Sequence, residues 1–111
     1  MKTVIYYAAP SGVSPFGEWL TALKDKVGSN AVLSRLSMVA VSAHFGDHKR
    51  LKGSEGVHEM RIHAGPGYRV YYGLDGETVV VILAGGLKRE QARDMRRAVS
   101  YWKEYLLAKE D

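Results

Sequence analysis

The residues best suited to chemistry lie in two adjoining stretches. Val57-His-Glu-Met-Arg-Ile-His63 alternates polar and apolar side chains, and Tyr68-Arg-Val-Tyr-Tyr72 follows it across Gly65-Pro66-Gly67. Strand alternation puts Glu59, Arg61 and His63 on one face of the first stretch, and Arg69 and Tyr71 on one face of the second. Arg89, Arg93 and Arg96 come later at helical spacing and can reach the same side. Guanidinium forks on a rigid sheet suit phosphate, because the planar group meets two oxygens at once. Arginines beside Glu59 or His63 could stabilise a pentacoordinate phosphorane while a carboxylate or imidazole takes the proton of an attacking hydroxyl. Tyr71 could stack on a base. A polar strand face of this kind is also the ordinary solvated side of an antiparallel sheet.

The elements that must position these groups can be read in order. Thr3-Val-Ile-Tyr-Tyr7 is β-branched and aromatic, a strand. Ser14-Pro15 has the form of a helix N-cap with proline at the first helical position. Phe16, Trp19, Leu20, Leu23 and Val27 continue at helical spacing, and Gly28 reads as the helix end. A second helix from Ala31 to Ala43 carries Arg35 as its only charge and apolar residues on more than one face, which calls for burial on several sides. His44 to Gly56 reads as a basic, glycine-punctuated loop that includes Lys49 and Lys52. Three strands follow at about 57–63, 68–73 and 78–84, the last two joined through Asp75-Gly76. Gly85-Gly86 leads into a helix from about Leu87 to Lys109, with Ala92, Met95, Val99, Trp102 and Leu106 as its core stripe. The expected fold is α+β in the order β-α-α-β-β-β-α. Its sheet is compact and largely antiparallel, with the two early helices packed on one face.

Composition narrows the function. The chain has 111 residues, enough for one domain with one core, and residues 1–111 are read as that domain. It has no cysteine, which removes disulfides and thiolate metal sites and fits a reducing compartment. No apolar run reaches the roughly 18–20 residues that cross a membrane, so no membrane partner is expected. The short apolar stretch at the start reads as a strand rather than a leader. Net charge is +4, and Lys88 to Lys103 alone holds six basic and two acidic residues. That concentration favours an anionic partner. No cofactor or metal is expected: His44 and His48 lack a third ligand, and the glycines lack a dinucleotide-binding context. Trp19 and Trp102 read as core anchors.

The run Gly56-Val-His-Glu-Met-Arg-Ile-His-Ala-Gly-Pro-Gly-Tyr-Arg-Val-Tyr-Tyr-Gly73 resembles the signature of the addiction-module killer proteins. These are HigB-like toxins of the RelE/ParE superfamily in type II toxin–antitoxin systems. Leu83-Ala-Gly-Gly-Leu-Lys88, Gln91-Ala-Arg-Asp94, Ala98 and Trp102 resemble the closing motif. Phe16-Gly-Glu-Trp-Leu20 and Phe45-Gly-Asp47 resemble earlier landmarks. The resemblance implies a RelE/ParE-like fold and a cytoplasmic, metal-independent mRNA endoribonuclease that works at the ribosome. It also implies restraint by a cognate antitoxin, commonly a small helix-turn-helix protein. By motif position Arg61, Arg69 and the pair Lys88-Arg89 match the family's basic residues, with Glu59 and His63 as candidate proton acceptors. Lys49, Lys52, Tyr71, Lys88, Arg93 and Arg96 are the candidate RNA contacts. The chain departs from the pattern at three places. Met95 stands near the position of a functional tyrosine, the histidine, aspartate and tyrosine that HigB enzymes use near the C-terminus have no counterpart cluster in this sequence, and Leu87 replaces the aspartate before the lysine. The superfamily also contains proteins that poison gyrase, so a non-enzymatic member that acts by binding gyrase or only its antitoxin is the alternative.

Overall fold

The computed structural model describes residues 1–110. Its elements are β1 (Thr3–Tyr6), α1 (Pro15–Ala22), α2 (Lys26–Ser42), β2 (His48–Arg50), β3 (Val57–Ile62), β4 (Tyr68–Asp75), β5 (Val79–Leu87) and α3 (Gln91–Lys109). One turn of 3-10 helix, Lys88–Glu90, joins β5 to α3. The fold is α+β, with a five-stranded mixed sheet in the order β1-β5-β4-β3-β2. β1 runs parallel to β5, and the remaining pairs are antiparallel.

The early helices divide differently from the spacing-based expectation. Ser14 Oγ accepts from the Gly17 amide at 3.0 Å, as a serine N-cap should. The helix then stops at Ala22, because Asp25 caps the next one by accepting from the Gly28 amide at 3.0 Å. The Tyr68 hydroxyl donates to the same carboxylate at 2.6 Å and fixes the break. Val27 therefore lies in the first turn of α2 and is exposed, outside the core stripe of α1. Gly28 is not a helix end. A Cβ there would sit 2.5 Å from the Tyr68 ring, so its lack of a side chain admits that ring.

α1 and α2 pack on one sheet face, where Phe16, Val32, Leu36 and Val39 meet Met60, Ile62, Val70 and Ile82. α2 uses only part of its apolar surface. Leu33, Met38 and Val41 stay exposed, and Ala43 is half-buried in the left-handed conformation that ends the helix. Arg35, which shares the helix with one other charge, Lys26 in its first turn, donates to Phe45 O at 3.0 Å and Arg61 O at 2.9 Å. That bridge holds the following segment against β3, and residues 48–50 pair as a strand where a loop was expected.

α3 covers the other sheet face. Its buried stripe is Asp94, Ala98 and Trp102, flanked by Met95, Val99, Tyr101 and Tyr105, while Ala92 and Leu106 are exposed. The expected stripe was rotated from this one. Gly85 and Gly86 lie inside β5 rather than leading out of it. An irregularity opposite Tyr71/Tyr72 leaves Leu83 and Ala84 both in the α3-side cluster and resets the alternation beyond them. Gly85 then faces Trp19 and Gly86 faces Asp94, each too close for a Cβ.

Candidate functional site

The face expected to be open is largely roofed by α3. Glu59 and Tyr71 are fully enclosed and Arg69 is 9% exposed. The correction has a simple cause: alternation assigns residues to a face but says nothing of what lies over it. Arg61 and Arg69 do share that face and stand directly opposite each other across β3 and β4, with Gly86 next in the row on β5. Glu59, Tyr71 and Ala84 form the neighbouring row, extended outward by Lys49 on β2.

Glu59 organises the row. Its Oε1 accepts from Arg69 Nη1 at 2.9 Å and Arg61 Nε at 3.2 Å, and its Oε2 accepts from Gln91 Nε2 at 3.0 Å. A carboxylate buried this deeply persists because it is paired on both oxygens. That engagement makes Glu59 an anchor for two guanidinium groups and overturns its reading as an open proton acceptor. The network runs on to the surface. Arg61 Nη1 lies 3.5 Å from Asp47 Oδ1, and His63 Nε2 lies 2.7 Å from Asp47 Oδ2. The hydrogen bond from His63 holds the Asp47 carboxyl below its ordinary pKa, and the Arg61 charge adds to this. His63 is largely exposed and Arg61 half-buried, so the network grades from a solvent-facing imidazole to an enclosed Arg69.

Tyr71 cannot stack on an incoming base from its enclosed position. Its hydroxyl has no hydrogen-bond partner among the described residues. Burial first, then the Glu59 and Asp94 charges, push its pKa far upward and keep it protonated. Asp94 is equally enclosed. Its Oδ1 accepts from Arg93 Nε at 3.2 Å, and its Oδ2 is unpartnered against Gly86.

The other cations surround this row. Lys88 and Arg89 line a cavity of about 290 Å³ with Pro66, Leu87 and Gln91, and the Lys88 amide donates to Gly67 O at 3.0 Å. The glycine-proline turn is thereby tied to the basic pair, and Gln91 ties both to Glu59. Lys52 and Arg96 face a second cavity of about 270 Å³ with Ser54, Met95 and Val99. Arg93 pairs with Glu90 at 3.3 Å and with Asp94, so it is a partly neutralised contact rather than a free one. His44 and His48 make local turn contacts with Gly46. Among the described residues no cluster of three histidine or acidic side chains is placed to hold a metal.

Sequence reasoning named Asp47, Gln91 and Asp94 only as landmarks of a resemblance, without a role. Their signal was position within the short motifs Phe45-Gly-Asp47 and Gln91-Ala-Arg-Asp94. Polarity alone could not separate them from surface residues.

No family model matches the chain. It is similar to an uncharacterized protein of Haemophilus influenzae, 37% identical over 86 residues, which spans 75% of this chain and 81% of that protein.

Proposed function

The chain belongs to one family with that Haemophilus influenzae protein, and we propose that it is a RelE/ParE-like toxin of a type II toxin–antitoxin system, an mRNA endoribonuclease that needs no metal and acts at the ribosome in the cytoplasm. The observation that carries this reading is the Arg61–Arg69 pair set side by side across β3 and β4, beside the exposed His63–Asp47 pair. The likeness of residues 56–73 and 83–102 to the addiction-module killer signature supports the toxin assignment.

The placement supports the following chemistry. An RNA 2′-hydroxyl attacks its own phosphate, forming the O2′–P bond as the P–O5′ bond breaks. His63 takes the hydroxyl proton, and Asp47 orients the ring and stabilises the imidazolium that results. Arg61 and Arg69 neutralise charge on the phosphorane. Water protonates the departing 5′-oxygen, and the hydroxide so formed takes the proton back from His63, leaving a cyclic phosphate on one fragment and a 5′-hydroxyl on the other. Glu59 holds both guanidinium groups through its Oε1 and stays outside proton transfer. Lys49, Lys52, Lys88, Arg89 and Arg96 carry flanking phosphates, at a cost of strong salt dependence. The cognate antitoxin, a small helix-turn-helix protein, covers the apolar residues that α2 leaves exposed, Leu33, Met38 and Val41.

A specific feature favours the second reading, a non-enzymatic member that binds gyrase or only its antitoxin. Glu59 and Asp47 together already offset the charges of both arginines of the pair. The two readings separate in one experiment: brief induction in growing cells, followed by primer extension on total mRNA and a gyrase–DNA cleavage assay. New 5′ ends within messages support the nuclease. Intact messages with trapped gyrase–DNA breaks support the second reading.

A further inference from the structure

The helix-side face of the sheet carries a second cationic feature at its β2 edge. Strand alternation divides β2 between the two faces. Lys49 stands in the row of Glu59, whereas His48 and Arg50 stand with Met60 and His58 on the face that α1 and α2 cover. Arg50 is directly opposite His58 in the register, and His48 is diagonal to it. Such neighbours have Cβ atoms roughly 5 Å and roughly 7–8 Å apart. His48 and Arg50 are exposed and His58 is half-buried, so the cluster opens to solvent at the rim of the sheet.

Aromatic packing fixes both imidazoles. The His58 ring stacks on Tyr72 with centroids 5.2 Å apart, Tyr72 stacks on Phe45 at 5.3 Å, and Phe45 meets His48 at 5.6 Å. Gly46 O accepts from His48 Nδ1 at 2.8 Å, which leaves Nε2 for a further partner. Burial first, then the Arg50 and His48 charges, hold the His58 pKa below its ordinary value. The other elements packed on His58 present uncharged rings, Tyr72 from β4 and Phe45 from the turn before β2. No carboxylate pairs with any of the three among the described residues: Asp47 is taken by Arg61 and His63, and Glu55 by Lys103. Like charges set opposite each other across two strands destabilise the pair. A guanidinium and two imidazoles held together without a counter-charge describe an anionic ligand.

We propose that Arg50, His48 and His58 form a phosphate-binding site on the helix-side face of the β2 edge, separate from the arginine row. The Arg50 fork takes two oxygens, and the two imidazoles donate to the rest when protonated. An arriving anion offsets the Arg50 charge, so His58 gains its proton as the phosphate binds, and by linkage affinity rises as pH falls. A nucleic-acid strand that rounds the edge from Lys49 and a small phosphorylated ligand present the same group to this site. The site lies on the opposite face from the arginine row and does not depend on the RNA chemistry.

The test follows the histidine ring resonances of the full chain by NMR from about pH 5 to about pH 8, the range in which imidazole titrates. One arm adds sulfate, a phosphate stand-in whose charge is constant over that range. The other adds a 2′-O-methyl-RNA hexanucleotide, which cannot be cleaved. Bound anion should raise the His58 midpoint, and sulfate should bind about tenfold more tightly at the acid end, the worth of one midpoint raised by one pH unit. Arg50→Gln, at an exposed position, should leave the thermal melt unchanged and weaken sulfate about tenfold, the size of one charge-assisted contact. In the free protein the same variant should raise the His58 midpoint, because a neighbouring charge is gone. His58→Asn should flatten the pH dependence of binding. A His58 response to the hexanucleotide identifies a nucleic-acid strand as the source, and a response to sulfate alone identifies a small phosphorylated ligand; both support the site. The proposal is overturned if neither probe moves His58, if binding ignores Arg50→Gln, or if the shifts are confined to His63, which would place the anion at the arginine row.

Discussion

Removing the Glu59 carboxylate is the sharpest perturbation of the arginine row. In Glu59→Ala, Arg69 loses its only side-chain acceptor among the described residues, Arg61 loses one of its two carboxylate partners there, and Gln91 loses its bond to Glu59. Arg69 is nearly enclosed, so its charge cannot recover full hydration. Breaking a buried pair from one side typically costs about 3–5 kcal/mol. For a chain of this size that lowers the melting temperature by roughly 10–20 °C. Glu59→Met with Arg69→Met removes both charges and should return most of the loss, because apolar replacement of a buried pair is often neutral or better. Urea titration of the wild type, Glu59→Met, Arg69→Met and the double variant gives the cycle directly, with Glu59→Ala measured beside it. A Glu59→Ala loss below about 1 kcal/mol, the range of a solvated surface pair, would refute the claim that Glu59 is the anchor of the row.

Arg61→Ala, which spares the buried pair, should cut cleavage of a reporter message by about 10²–10³-fold while the melt stays close to that of the wild type; Arg61→Lys should recover little, since lysine lacks the fork. Gly86→Ala places a Cβ 1.9 Å from Asp94 Oδ2 and should destabilise by about 1–3 kcal/mol, as overpacking does. Adding Asp94→Ala should restore part of that loss in chemical denaturation, whereas strict additivity would mean that the clash is absent. Asp47 contributes stability through a lowered pKa. That contribution is present above the ordinary carboxyl value near 3.8 and is lost as pH falls through the folded-state value below it. The stability difference between wild type and Asp47→Asn should therefore shrink on acidification, and a difference that grows instead would contradict the His63–Asp47 contact. Tyr68 is shifted the other way: its bond to Asp25 and its burial raise its pKa from 10.0 to about 12. Tyr68→Phe should flatten the alkaline loss of stability between those values.

How much of this was legible in the sequence depended on whether the signal was local. Alternation in 57–62 and 68–72, and the Ser14-Pro15 cap, are short-range facts, and both survive in the structure. Asp25 was missed as a cap because Val27 continued the apolar spacing by coincidence, while the Tyr68 contact that settles the matter crosses 43 residues of chain. β2 was missed because nothing in His48-Lys-Arg50 marks a strand. Its pairing is imposed from outside, by Arg35 and β3. The stripe of α3 was misplaced because Ala92 and Leu106 are as apolar as the residues that are buried, and because Asp94 belongs to the buried side. The arginines of the site were legible as a pair on one face. Their enclosure, and the conversion of Glu59 from candidate base to anchor, were not, since both depend on where α3 settles over the sheet.

The measurement closest to the central claim is primer extension on total RNA after brief induction, comparing wild type, His63→Ala and Arg61→Ala at equal soluble levels. The account predicts discrete new 5′ ends inside messages within minutes for the wild type, carrying 5′-hydroxyl groups, and their near-disappearance in both variants. Undamaged messages under a growth-arresting wild type, or undiminished cleavage by either well-folded variant, would contradict it.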